Sequence, residues 1–205
     1  MHLSPAEFQQ FRALQSALNN FIYAKLQEAK GLTAQTPFGE LPFTKQMEVR
    51  QAFATDHSLI DQFIALNPQN LSYEELETVG DWRKMLTGKF YVLRHLKKHS
   101  LFLTGAENSP VYGVIGLTQP IEEVIGPDVP VLVDAILLPF LGRIVYDGLM
   151  ERFPITFGPG IRRSLNDDYR DAKELGRMVT SLGPPAPKAA AVKTKPRKRA
   201  AKAAE

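Results

Sequence analysis

Asp134 and Asp147 are the two carboxylates set in the most apolar part of this chain, Val129 to Met150. Carboxylates brought to cross-strand distance can act as an acid and base pair or hold a divalent cation. Val131 to Leu138 and Arg143 to Leu149 read as the arms of a hairpin around a Pro139 to Gly142 corner. That alignment puts Leu138 opposite Arg143 and Asp134 opposite Asp147, with Tyr146 nearby. Two like charges facing each other need solvent, a compensating base, a functional use or a different register.

Three other groupings could carry chemistry. In His95-Leu96-Lys97-Lys98-His99, read as part of one strand from Lys89 to Leu103, the two imidazoles share a side. Lys97 lies between them and repels a cation, and no third ligand is identifiable, so an exposed strand segment is expected and no metal site. Gly158-Pro159-Gly160-Ile161-Arg162-Arg163 leads from a turn into a helix. Gly160 with Arg162 and Arg163 would offer free N–H groups and guanidinium to an anion, and an arginine here opposes the helix dipole unless an anion or carboxylate balances it. Asp167, Asp171 and Glu174 alternate with Arg163, Arg170 and Arg177, the pattern of a solvated helix face.

Familiar catalytic signatures do not occur. There is no phosphate-binding loop with its Lys and Ser/Thr, no dinucleotide fingerprint, no His-Glu-x-x-His helix and no Ser elbow. Gly113-Val114-Ile115-Gly116 has the letters of an RNA-binding loop but sits in an apolar run without basic residues. The absence of cysteine removes disulfides and thiolate chemistry and fits a reducing compartment. No cofactor is expected, and Asp134, Asp147 and His95 remain the only catalytic candidates.

The elements that must position these residues change period along the chain. Ser4, Pro5 and Glu7 open an amphipathic helix with Phe8, Phe11, Leu14, Leu18, Phe21, Ile22 and Leu26 on one face, ending near Gly31. Its aromatic face suits its own core or, alternatively, a protein partner. Short helices follow from Thr44, Ser58 and Ser72 with Glu75. Beyond Gly88 four antiparallel strands are predicted, with a turn of helix at Ile121 to Val124 and a closing helix whose stripe runs from Ile161 to Leu182. The reading is an α+β domain over residues 1–183: helical at 1–87, strand-rich as a four-stranded meander or small barrel at 88–150, and helical at 161–182. Residues 184–205 form a disordered basic tail.

That tail holds Lys188, Lys193, Lys195, Arg197, Lys198, Arg199 and Lys202 against Glu205, with nothing larger than Val192 to bury. The whole chain has 25 basic and 22 acidic residues. Removing the tail's seven and one leaves 18 and 21, so the tail carries +6 and the body −3. The sequence pI of about 9.1 therefore describes the tail and not a basic globular surface. In composition Val192 to Arg199 resembles the Lys/Ala/Pro-rich tails of histone-like and other chromosome-associated proteins. The likeness covers about a tenth of the chain and implies a physical behaviour without defining a family.

These features predict a non-catalytic protein that binds DNA or RNA without sequence preference through its tail. The alternatives are an enzyme taking a phosphate-bearing or other anionic substrate at Gly158 to Arg163, and a protein-interaction module using the first helix. Asp134, Pro139, Arg143 and Asp147 interrupt the most apolar region, so no membrane span is expected. Met1 to Gln10 lacks the pattern of a secretory signal. A cytoplasmic site follows, with nucleoid association possible, or a nuclear one in a eukaryote.

Overall fold

The computed structural model describes residues 1–34 and 36–183. Four helices come first. Helix α1 (Pro5–Glu28) begins at a capping box in which Ser4 and Glu7 satisfy each other's backbone N–H groups, and it buries Phe11, Leu14, Leu18 and Ile22. Each of those side chains contributes roughly 1.5–3 kcal/mol by leaving water. Helix α2 (Phe43–Thr55) buries Val49 and Phe53, and α3 (Ser58–Leu66) buries Leu59, Ile60 and Phe63. Helix α4 (Tyr73–Asp81) starts at a second capping box, Ser72 with Glu75. Trp82 follows it, wholly buried against Phe11 and Phe53.

The strands are β1 (Leu86–His95), β2 (Ser100–Leu103), β3 (Val111–Val114), β4 (Val131–Phe140), β5 (Arg143–Arg152) and β6 (Met178–Val179). Two helices interrupt them, α5 (Ile121–Ile125) and α6 (Pro159–Glu174). The sheet order is β2-β1-β4-β5-β3-β6, and β2 also pairs with β3, so the pairings close a ring through the first five strands. Phe11 packs edge-on to Phe140 with ring centroids 5.2 Å apart, seating α1 on β4.

The mixed α+β class agrees with the sequence, while several finer expectations are corrected. Six strands replace four, and the sheet is mixed, because β3 runs parallel to both β5 and β6. Lys89 to Leu103 is not one strand: Leu96 to His99 turns the chain, and β1 and β2 pair antiparallel. The last helix stops at Glu174, and Gly176 with a positive φ lets the chain return as β6. Its apolar stripe is shorter than expected. Leu165 and Ala172 are buried against Leu93, Leu101, Leu103 and Val111, whereas Ile161 and Leu175 lie exposed. The face of α1 proposed for a partner is spent on the protein's own core.

Candidate functional site

The hairpin register decides what Asp134 and Asp147 can do. Strand β4 runs to Phe140 and β5 restarts at Arg143, so the turn is Leu141-Gly142 alone, with both residues at positive φ. Asp147, Gly148 and Leu149 then stand across from the single residue Ile136. Gly148, at φ +100°, makes this bulge possible. Two shifts therefore accumulate, and Asp134 ends up opposite Glu151 on β5 and Lys89 on β1, not opposite Asp147. The expected like-charge pair is replaced by a carboxylate flanked by one base and one acid.

The bulge turns Asp147 toward the helical layer, where α2 places Arg50. The guanidinium Nε donates to Asp147 Oδ2 at 2.5 Å and Nη2 to Oδ1 at 3.4 Å. Arg50 Nη1 also lies 3.9 Å from Asp134 Oδ1, so one cation serves both carboxylates. Gln15 of α1 donates to the Asp147 carbonyl at 2.6 Å, and the Leu149 N–H reaches Oδ1 at 3.3 Å. The Asp147 side chain is only 5 % exposed. Loss of water pushes its pKa upward, and the hydrogen bonds from Arg50 offset only part of that cost. Beside it lies a cavity of about 240 Å³ bordered by Gln15, Asn19, Phe43, Gln46 and Met47. A carboxylate whose two oxygens are occupied by a guanidinium and an amide is a tie between layers, not a free base.

The other candidates do not join it. His95 Nε2 faces the Gly126 carbonyl at 3.2 Å and must donate there, while Nδ1 meets Ser100 Oγ at 2.8 Å. Both ring nitrogens are thus engaged. Lys89, the partner of Asp134, is six residues back along β1, about 20 Å at about 3.3 Å per residue. His99 packs against Gly113, where an added Cβ would come within 2.9 Å of the ring. Burial, Lys98 and the N-terminal ammonium hold its pKa below the usual imidazole value. No group of three possible metal ligands occurs among the described residues.

At the start of α6, Gly158 is the N-cap and Pro159 the first helical residue, which carries Arg162 and Arg163 past the first turn. Arg162 Nε folds back to the Phe157 carbonyl at 3.0 Å. Gly160 and Arg163 are exposed beside it. Lys188, Lys193, Lys195, Arg197, Lys198, Arg199 and Lys202 lie outside the described residues.

Arg50 was not among the residues singled out from sequence. One signal pointed to it: the isolated Gly148 within a strand marks a bulge, and a bulge that turns Asp147 inward requires a buried base from another element. No family model matches the chain, and no curated protein or solved structure shows significant similarity to it.

Proposed function

We propose that this protein binds nucleic acid without sequence preference, through the seven basic residues of 184–205, and that the α+β body is their carrier. The observation that carries the reading is the segregation of charge, +6 on the C-terminal segment and −3 on the body. The use of basic side chains within the body supports it. Lys25, Lys30, Lys45, Arg50, Arg83, Lys84, Arg143 and Arg170 all pair with carboxylates of the body. Arg152 and Arg162 are bound to backbone carbonyls. A polyanion is attracted by cations free to release its counterions, and the C-terminal segment has almost no acid to compete for them.

The ring β1-β2-β3-β5-β4, with β3 parallel to β5, has the connectivity of small five-stranded Greek-key barrels of the OB type. Such barrels bind oligonucleotides on the face of their second and third strands. That analogy belongs to the fold and not to a site. Here α6 covers Leu101, Leu103 and Val111 of those strands, which favours the C-terminal segment over the barrel face.

Fluorescence anisotropy with a labelled duplex DNA and a labelled RNA tests the proposal. The full chain should bind both, and a chain ending at Gly183 should lose nearly all affinity while keeping its fold. Equal affinity in the two proteins would move the binding surface onto the body and refute the reading.

A further inference from the structure

The described chain ends inside a feature that the polyanion reading leaves unused. Gly183 lines a surface groove of about 1030 Å³ between α4, the turn Trp82–Lys84 and the β4–β5 turn. Ile64, Leu76 and Leu141 provide its apolar surface, and Tyr73 stands at its side, 74 % exposed. Glu74, Glu77 and Asp81 supply negative charge. The two bases in the groove are already committed: Arg83 to Asp61, and Lys84 to Asp81 at 2.6 Å. Glu74 and Glu77 form no ion pair among the described residues. A Cβ on Gly183 would lie 3.7 Å from Asp81 Oδ2 and 3.6 Å from Lys84 Nζ, so the last described residue sits within the groove.

We propose that residues 184–194 dock in this groove when no polyanion is present, and that nucleic acid must displace them. The regulatory half rests on the nucleic-acid reading; the docking does not. Pro184-Pro185-Ala186-Pro187 favours the extended polyproline conformation, which packs well on exposed aromatic surface such as Tyr73. Helix α4 has nine residues, about 14 Å at about 1.5 Å each. Pro184 to Lys188 spans about 15 Å at about 3.1 Å per residue, so Lys188 can reach Glu74 and Glu77, with Lys193 following. The covalent tether gives the segment a roughly millimolar effective concentration that no separate partner matches without cost. Lys188 and Lys193 would find in the groove two carboxylates, Glu74 and Glu77, that make no ion pair among the described residues.

The chain has no cysteine, so Thr194→Cys in the full chain accepts a single nitroxide spin label without removing a charge. At low salt, amide signals of Tyr73–Asp81 and Leu141–Gly142 should broaden selectively. Glu74→Gln with Glu77→Gln keeps helix formers and the Ser72–Glu75 capping box, and should remove that selectivity. The same pair should raise the full chain's affinity for duplex DNA about threefold to tenfold, the equivalent of two exposed ion pairs. Added duplex should also abolish the broadening. Broadening that ignores both salt and the Glu→Gln pair would overturn the docking, even if the duplex still binds. Selective broadening in a chain that binds no duplex would keep the docking and remove the nucleic-acid reading.

Discussion

Arg50 and Arg197 carry the same guanidinium in opposite company. Arg50 reaches two carboxylates, on β4 and β5, and its side chain is 17 % exposed. Arg197 stands in a run of Lys195, Lys198 and Arg199, with Glu205 the one acid between Pro184 and the end of the sequence. A charge acts on the fold when its counter-charge is supplied from within, and on a partner when it is not. Two of the body's ion pairs join layers: Arg50 ties α2 to the hairpin, and Arg143 ties the start of β5 to Glu7 of α1 at 2.6 Å.

Breaking the Arg50 tie should have the largest effect on stability. Arg50→Met leaves Asp147 buried without its base, a loss of about 3–5 kcal/mol. Denaturant unfolding followed by the fluorescence of Trp82, the single tryptophan, reads it directly. Nucleic-acid affinity of the folded variant should stay unchanged. A cost below about 1 kcal/mol would show that the pair ties nothing.

Asp147→Asn gives a smaller, pH-dependent effect. Because burial raises the folded-state pKa of Asp147 above its unfolded value, this carboxyl's contribution to stability is fully present below the unfolded pKa. It is lost as pH rises through the folded pKa, by about 1.4 kcal/mol for each unit between the two. Stability of the natural protein should therefore fall relative to Asp147→Asn across the window just above the ordinary aspartate pKa, and run parallel above it. Glu7, held low by the Ser4 N–H and then by Arg143, has the opposite slope, present above its unfolded pKa and lost on acidification, but it is common to both proteins and cancels. A flat difference would mean that Arg50 fully compensates the burial.

Smaller again is the capping contribution. Ser72→Ala removes the hydroxyl that accepts from the Glu75 N–H and should cost about 1 kcal/mol. Lys195→Ala or Arg197→Ala should change stability by less than about 0.5 kcal/mol. A larger loss from either tail substitution would show those cations serving the fold after all.

Elements defined by local chemistry were legible in the sequence. Both capping boxes, the start of α1 and the short helix at Ile121 follow from residues a few positions apart. Relations between distant segments were not. The parallel pairing of β3 with β5 and β6 has no local signature, and β1 with β2 looked continuous because Leu96 to His99 contains neither Gly nor Pro to mark the turn. Asp147 was recognised as unusual, but its partner was misassigned: the Gly148 bulge displaces the register, and Arg50 arrives from an element 97 residues earlier. The segregated charge of 184–205 needed only counting.

The central claim is that nucleic-acid affinity resides in the seven bases of 184–205, and the salt dependence of duplex DNA binding by the full chain tests it most directly. With roughly five to seven phosphates neutralised at about 0.9 per contact, log affinity should fall linearly with log salt at a slope of about −4.5 to −6.3. Each of Lys195→Ala and Arg197→Ala should make that slope shallower by about one. A slope that stays the same after both substitutions, or affinity that does not change with salt, would contradict the account.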